Sequence, residues 1–467
     1  MIRQTNYCRS RKFILCSIIH CKLSLFIINL PLIEICSLLV RDSARGLGGF
    51  KFRKMFTRKI LFVLLFFITF NAYAQQERWV GTWACAPQTV DKGFMPYNNQ
   101  MTNRSVRQVV KVSIGGPVIR LQLSNELSSE PVEITSVYIA KAGEGSEIQK
   151  NSAKYLRFNN KRRVTIPAGK AAFSDALKFD LQPLERLSIT INYLKAPKEP
   201  TVHMGSRTTS YILRGVTNAN TDFSTAFKED HWFNISAIDV LDASASSVAI
   251  LGNSITDGKG CVTNAQDRWP DFMSAVLNGE HDSKSPKTGV LNLGIGDNRI
   301  LSVGLGQPGK ERFDRDILGQ RGLRAVIIFE AINDIGTSTN PEETARQLIE
   351  AYQVMIKKAC QRGLKVYMGT ITPFNGCKGY FTEARDAARK TVNEWIRTNH
   401  EIDGFIDFDE LMRDPSSPDR LRKDCQIGDW LHPNPKGYKM MGEYAAKSLE
   451  EMNVPTPSNQ RPLIERK

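Results

Sequence analysis

From Trp79 to about Val240 the chain is written in short alternating runs of apolar and polar residues. "VIRLQLSN" sets Ile119, Leu121 and Leu123 on one face. "ERLSITINYL" does the same with Leu187, Ile189, Ile191 and Tyr193, and turns Arg186, Ser188, Thr190 and Asn192 the other way. A period of two is that of a strand with one buried face. Gly115-Gly116-Pro117 and Pro167-Ala168-Gly169 punctuate the runs as turns. No long stretch of period 3.6 interrupts them, so residues 75–241 are expected to form an all-β, jelly-roll-like sandwich.

After Asp242 the period changes. A wholly apolar run, Val248–Leu251, precedes a segment in which Trp269, Phe272, Met273 and Val276 recur at helical spacing. Apolar runs at Val290–Leu293 and Ala325–Phe329 read as buried strands. Asn340, Pro341 and Glu343 then mark a helix start, with Ala345, Leu348, Ile349, Tyr352 and Ile356 on its apolar face. Val366–Gly369 and Phe405–Phe408 read as further strands, with helices across about 381–399 and from Pro435 to about Leu449. Strands alternating with helices of this length build a parallel sheet covered on both faces. Residues 242–452 are therefore expected to be a doubly wound α/β sandwich, with its functional groups at the carboxyl ends of the strands. Residues 453–467 are a polar, Pro-containing tail with no assignment.

The formal charge of +15 is concentrated at the amino end. Residues 1–74 carry 12 Lys/Arg against Glu34 and Asp42, which leaves 51 basic and 46 acidic residues, a net of +5, over 75–467. There is no basic run with interleaved aromatics, so no nucleic-acid partner is expected. "MFTRKILFVLLFFITFNAYAQQ" has a short basic region at Arg58 and Lys59, an apolar core at Ile60–Phe70 and an Ala72-Tyr73-Ala74 cleavage motif. Residues 55–74 thus read as a signal peptide, too short in its apolar core for a membrane-spanning helix. The expectation is an exported protein, periplasmic or extracellular, with no stable membrane anchor after cleavage. Residues 1–54 lie upstream of a complete export signal and read as a leader created by a start codon assigned too early.

Five cysteines follow that leader, Cys85, Cys261, Cys360, Cys377 and Cys425. An odd number leaves at least one thiol unpaired, and spacing does not reveal any pairing. No CxxC or clustered Cys/His pattern indicates a metal site.

"VAILGNSITDGKG" places Ser254 three residues past the first parallel strand, on the edge where ligands bind. A serine there is either an N-cap for the next helix or a nucleophile. A nucleophile needs a histidine base steered by a carboxylate. His203 and His231 fall in the β region, His281 in a charged loop and His400 at a helix end. His432 lies in "GDWLHPNPKGY", three residues after Asp429 and just ahead of the last helix, and a D-x-x-H turn lets the carboxylate reach back to Nδ1. In "IIFEAINDIG", Asn333 falls four residues after Phe329, where its amide can donate to a developing oxyanion. An Asx turn is the competing reading of Asn333-Asp334. "LNLGIGDNRIL" ends a strand in a glycine-containing turn that can present a backbone N–H.

Those blocks, in that order, resemble the SGNH (GDSL-like) hydrolase family. "GTITPF" and "VNEWIR" resemble its bacterial secreted esterase branch, and "WVGTWACAP" and "GGPVIRLQLSN" are similar to the amino-terminal half of two-domain members. The likeness spans nearly all of 78–450. It implies that Ser254 is the nucleophile and one oxyanion donor through its own N–H, that His432 is the base and then the acid, and that Asp429 orients it. It also implies that Asn333 and the N–H of residue 297 complete the oxyanion site. The family usually has glycine where this chain has Asp297 and Ala331, and a carboxylate beside a developing negative charge is harmful unless it points away. Asn253 replaces an aspartate that is given no chemical role. The implied activity is hydrolysis of a small-molecule or polysaccharide ester, without metal or organic cofactor, the acyl group being acetyl by analogy. The alternatives are an impaired carbohydrate-binding relic and a lipase- or thioesterase-type acylhydrolase on the same site. Trp79, Trp83 and Trp232 either stack on sugar rings or belong to the β core.

Overall fold

The computed structural model describes residues 78–453, apart from 91–92, 94, 97–100 and 280–286. The leader, the signal peptide, the polar tail and His281 lie outside the described residues. The described residues form one compact unit.

Its first part consists of two antiparallel sheets. One joins Trp79–Ala84, Ile235–Leu241 and Gly116–Asn125, with Lys170–Phe173 and Leu177–Leu181 paired to the last of these. The other runs through Phe227–Glu229, Ser210–Arg214, Arg104–Lys111, Arg186–Lys195 and Val132–Lys141, with Lys154–Tyr155 and Val164–Ile166 on its far strand. Ile119, Leu121 and Leu123 of the first sheet share one apolar core with Leu187, Ile189, Ile191 and Tyr193 of the second. The alternation therefore finds the core face correctly, but the opposite face is not open to solvent. Ser188, Thr190 and Asn192 are buried too. Asn192 accepts hydrogen bonds from Ser105 Oγ at 2.5 Å and from the Thr217 N–H at 3.0 Å, and it donates to Ser136 Oγ at 2.9 Å. Asn192 and Thr190, which accepts from Arg107 Nε at 3.2 Å, find partners on that face, whereas the buried hydroxyl of Ser188 has none among the described residues.

The second part is a five-stranded parallel sheet: β1 (Ser246–Gly252), β2 (Thr288–Gly294), β3 (Leu323–Phe329), β4 (Lys365–Gly369) and β5 (Gly404–Ile406). Its spatial order is β2-β1-β3-β4-β5. The long helices are α1 (Trp269–Asn278), α2 (Pro341–Gln361), α3 (Glu383–Thr398) and α4 (Pro435–Asn453). Helix α1 packs on α4, and α2 on α3. The winding runs from β1 to β2 in one direction and then returns past β1 to β3, β4 and β5. With right-handed crossovers, that reversal places the two helix pairs on opposite faces and opens a crevice at the carboxyl ends of β1 and β3. Asn340 caps α2, its side chain accepting from the Glu343 N–H. The expected strand Phe405–Phe408 is shorter than its apolar run. Asp407 accepts from the Glu410 N–H and begins a short helix at Phe408, whose ring packs against Phe329 and Trp269.

The edge strand β2 is covered by Trp79–Ala84 of the antiparallel part. The approach is close enough that a Cβ on Gly289 would overlap the carbonyl oxygen of Gly81.

Beneath the crevice lies Arg312, with no solvent exposure. It donates to the carbonyls of Gly252 at 3.2 Å and Leu293 at 2.8 Å, and to Asn298 Oδ1 at 2.9 Å. Asp316, equally buried, is its counter-ion at 3.2 Å. One planar cation thus joins the ends of β1 and β2 to the loop that follows β2. Replacing Arg312 by Met leaves three acceptors and a buried carboxylate short of a donor. Denaturant unfolding of R312M should show a loss of about 3 kcal/mol or more; a loss below about 1 kcal/mol would mean that the tie is dispensable.

Candidate active site

Asn253 follows β1 and caps the single helical turn Ser254–Asp257, its side-chain oxygen accepting from the Ile255 N–H. Ser254 is thus the first residue of a helical turn, a position whose N–H has no intrahelical acceptor. The N-cap reading therefore applies to Asn253, and Ser254 presents its hydroxyl to the crevice. Ser254 Oγ lies 2.8 Å from His432 Nε2, and His432 Nδ1 lies 2.6 Å from Asp429 Oδ2. The other oxygen of Asp429 accepts from the backbone N–H of Leu431 at 3.0 Å and of His432 at 2.9 Å. Burial raises the Asp429 carboxyl, but the hydrogen bonds from His432 and Leu431 outweigh it and bring the group down to about 2. The structure brings Ser254, His432 and Asp429 into one hydrogen-bonded line.

The oxyanion candidates share the same cleft, which Ser254, Asp297, Asn333 and His432 line together. The backbone N–H groups of Ser254 and Asp297 have no acceptor among the described residues. Asn333 Nδ2 donates one hydrogen to the carbonyl of Asn298 at 2.8 Å, which leaves its second for the cleft. The Tyr380 hydroxyl donates to Asn333 Oδ1 at 2.9 Å and so sets which way the amide faces. Asp334 does not close a local Asx turn. Its two oxygens instead accept the N–H groups of Ile300 and Leu301, both at 2.9 Å, and anchor the loop that carries Asp297. Burial pushes the Asp334 carboxyl up to about 6 against those hydrogen bonds.

Asp297 adopts φ +48, a left-handed conformation that aspartate tolerates better than most residues. Its carboxylate meets Arg299 at 3.3 Å, so its charge is matched by a neighbour. Ala331 sits at φ +118. That is a costly conformation for a residue with a Cβ, so the change from glycine is more than a mild one here. Asn253 is not a neutral replacement either, since its Nδ2 donates to Glu330 Oε1 at 3.0 Å. Burial raises Glu330 well above the usual carboxylate range, with Asp334 adding to the shift. An aspartate at 253 would confront that carboxyl.

Sequence reasoning missed the contribution of the β region. Gln88, Thr89, Met204, Gly205, Arg207, Asp230 and His231 form one wall of the cleft, whose volume is about 430 Å³. His203 is buried at its base. His203 Nε2 lies 2.9 Å from Asp257 Oδ1, and its Nδ1 lies 2.9 Å from the Ala86 carbonyl. Trp83 and Trp232 are core residues in edge-to-face contact at 5.1 Å, and the Arg120 guanidinium lies over Trp79 at 4.4 Å. None of the three lines the cleft. His400 is exposed at the end of α3. Cys85, Cys261, Cys377 and Cys425 are free thiols. Among the described residues no group of three or more His, Cys, Asp or Glu is placed to hold a metal ion, and no helix is long and apolar enough to cross a membrane.

Residues 250–440 match the family described as GDSL-like Lipase/Acylhydrolase. No curated protein matches the chain. Among solved structures, a GDSL-like lipase from Bacteroides thetaiotaomicron is 19% identical over 44% of this chain and 88% of its own, with a TM-score of 0.33. A member of the lipolytic protein G-D-S-L family from Veillonella parvula is 16% identical over 44% of this chain and 99% of its own, with a TM-score of 0.33. A carbohydrate acetylesterase family member from Sinorhizobium meliloti is 13% identical over 44% of this chain and 98% of its own, with a TM-score of 0.35.

The Asp429 carboxyl predicts a pH signature. Its folded pKa of about 2 lies below the ordinary 3.8, so its stabilising contribution is complete above about pH 4 and disappears as pH falls toward 2. The difference in unfolding midpoint between the natural chain and Asp429→Asn should therefore shrink steadily over that window. A difference that stays constant from pH 5 to about pH 2 would contradict the assignment.

Proposed function

We infer, from the premise that residues 250–440 are a GDSL-like lipase/acylhydrolase domain, that the chain is an exported serine esterase acting on small acyl, above all acetyl, esters of carbohydrate. The observation that carries this reading is the 2.8 Å contact between Ser254 Oγ and His432 Nε2, continued at 2.6 Å to Asp429. His432, held by Asp429 in the tautomer whose Nε2 accepts, takes the hydroxyl proton as Ser254 attacks the ester carbonyl. The oxyanion that forms faces the N–H groups of Ser254 and Asp297 and the second hydrogen of Asn333 Nδ2. His432 then protonates the departing alcohol, and water enters by the same base to release the acid and free Ser254. No step in this sequence calls on a metal or an organic cofactor.

Most of the cleft surface is apolar, and Gln88, Thr89, Arg207, Asp230, His231 and Lys259 are the polar groups in its lining that the alcohol part of a carbohydrate ester would meet. The two antiparallel sheets with one shared core support the sandwich reading of the β region, whose place here is to shape the substrate wall. Export is supported by the sequence of residues 55–74 alone. A second reading, a lipase-type acylhydrolase, draws on Leu305, which lines the cleft and is 49% exposed, and on its neighbour Val303 at 69%. An impaired relic is disfavoured, since relics need not keep a serine, imidazole and carboxylate in bonding order.

The natural chain should hydrolyse p-nitrophenyl acetate, and Ser254→Ala should lower kcat by roughly four orders of magnitude or more. Acetate should be preferred to octanoate; the reverse preference would favour the lipid reading, and turnover that survives Ser254→Ala would remove Ser254 from its role. Because the Asp297 carboxylate is half-exposed and paired with Arg299, Asp297→Asn should change kcat/KM by no more than about threefold. A larger loss would assign that carboxylate a part in the chemistry.

A further inference from the structure

Four carboxylates surround the cleft, and each has at least one partner, although the second oxygen of Asp257 is buried without one. Asp429 is taken by His432, Asp257 by His203 and Asp297 by Arg299. Asp230 accepts from the hydroxyls of Thr209 at 3.1 Å and Thr263 at 3.3 Å. The cations are a different matter. Arg207 and Lys259 both line the cleft with Ser254, and neither side chain has a hydrogen-bond or ion-pair partner among the described residues. The Arg207 Nε–H is wholly buried and still lacks an acceptor.

Both side chains are held by constrained backbone. Arg207 sits at φ +48, and its carbonyl accepts from the Asn264 N–H at 2.9 Å, which pins this β-region turn to the hydrolase domain. Lys259 stands between Gly258 at φ +97 and Gly260 at φ +100, with its own N–H bonded to the Ser254 carbonyl at 2.8 Å. Arg207 lines the cleft from a left-handed turn with no partner for its guanidinium, and a ligand in the cleft can offset that cost by supplying an acceptor to the guanidinium's terminal nitrogens.

We propose that Arg207, with Lys259, recognises a carboxylate on the alcohol part of the substrate, so that the preferred ester is an acylated acidic sugar of the uronate type. This rests on the esterase reading above. The planar fork of Arg207 matches a carboxylate in two parallel hydrogen bonds, and Lys259 adds a second positive charge from the nucleophile's own turn. Neither residue touches the scissile bond; both are specificity residues. With the acyl group small, the charged ring extends from the serine toward the β-region wall.

The test compares O-acetylated polygalacturonate with the same polymer after its carboxyl groups are converted to methyl esters, measuring acetate released. The natural chain should favour the acid form by about tenfold in kcat/KM, one charge-assisted contact being worth about that much. Added salt should narrow the margin. Arg207→Gln and Lys259→Gln should each reduce the ratio of the two rates, and Arg207→Lys should restore part of it. A ratio is read because a general loss of folded enzyme cancels from it. Equal rates on the two polymers by the natural chain, or a preference that survives both glutamine substitutions, would overturn the proposal. p-Nitrophenyl acetate separates the two failures: no turnover of it removes the esterase reading itself, while turnover with equal polymer rates removes only the anion.

Discussion

The buried guanidinium of Arg312 is the constraint on which the site depends. Three chain segments must keep fixed places: the end of β1, which delivers Ser254; the end of β2; and the loop that delivers Asp297. Arg312 bonds an acceptor on each, Gly252, Leu293 and Asn298. Asn298 in turn gives its carbonyl to the amide of Asn333 at 2.8 Å. Asp334, the next residue, holds the far side of the same loop through Ile300 and Leu301. Ser254, Asp297 and Asn333 therefore belong to one hydrogen-bonded body. Burial lowers the affinity of Arg312 for its proton, and Asp316 counters that, so the tie remains cationic. A lysine could not span the three acceptors, since its three donors diverge from one nitrogen.

The β region is built into this body as firmly as a layer of the same domain. Arg268, at the head of α1, donates to the carbonyl of Ser206 and to that of Asp257, thereby joining the β-region turn to the nucleophile's turn. The Val290 N–H of edge strand β2 donates to Ser113 Oγ at 3.0 Å, and Gln88 Nε2 reaches the Leu305 carbonyl at 3.1 Å. The first of these satisfies part of a sheet edge that would otherwise be exposed, and the second ties the loop after β2 to the β region. They also explain why seven β-region residues can form a cleft wall: each loop is tied down where it meets the hydrolase domain.

How much of this was legible in the sequence depended on whether a period or a motif carried it. The five parallel strands and four long helices follow from runs of apolar residues and from caps such as Asn340. Ser254, Asp429, His432 and Asn333 were found because strand ends and the D-x-x-H spacing are local signals. The buried polar face of Arg186–Lys195 was not legible, because alternation reports two different faces and does not say what covers the second. The wall of Gln88, Arg207 and His231 was not legible either. Those residues sit in turns far apart in the chain, and only the packing of two sheets against β2 brings them together. Tyr380 likewise lies in an irregular segment, yet it fixes the orientation of Asn333.

Ala331 and Asn253 are connected through Glu330. Its Oε1 accepts both Asn253 Nδ2 and the N–H of Ala331, and its carbonyl accepts the hydroxyl of Tyr352 at 2.6 Å. Ala331 is thus held at a φ that its Cβ resists, because the residue before it is anchored on both sides. The strain is local, and the return is the position of Asn333 two residues on, at the start of the Ile332–Gly336 turn. Asn253 completes the same arrangement from the end of β1: its amide donates to the Glu330 carboxyl, which an ionised aspartate could not do. The asparagine beside Ser254, the strained alanine and the buried glutamate are one hydrogen-bonded arrangement.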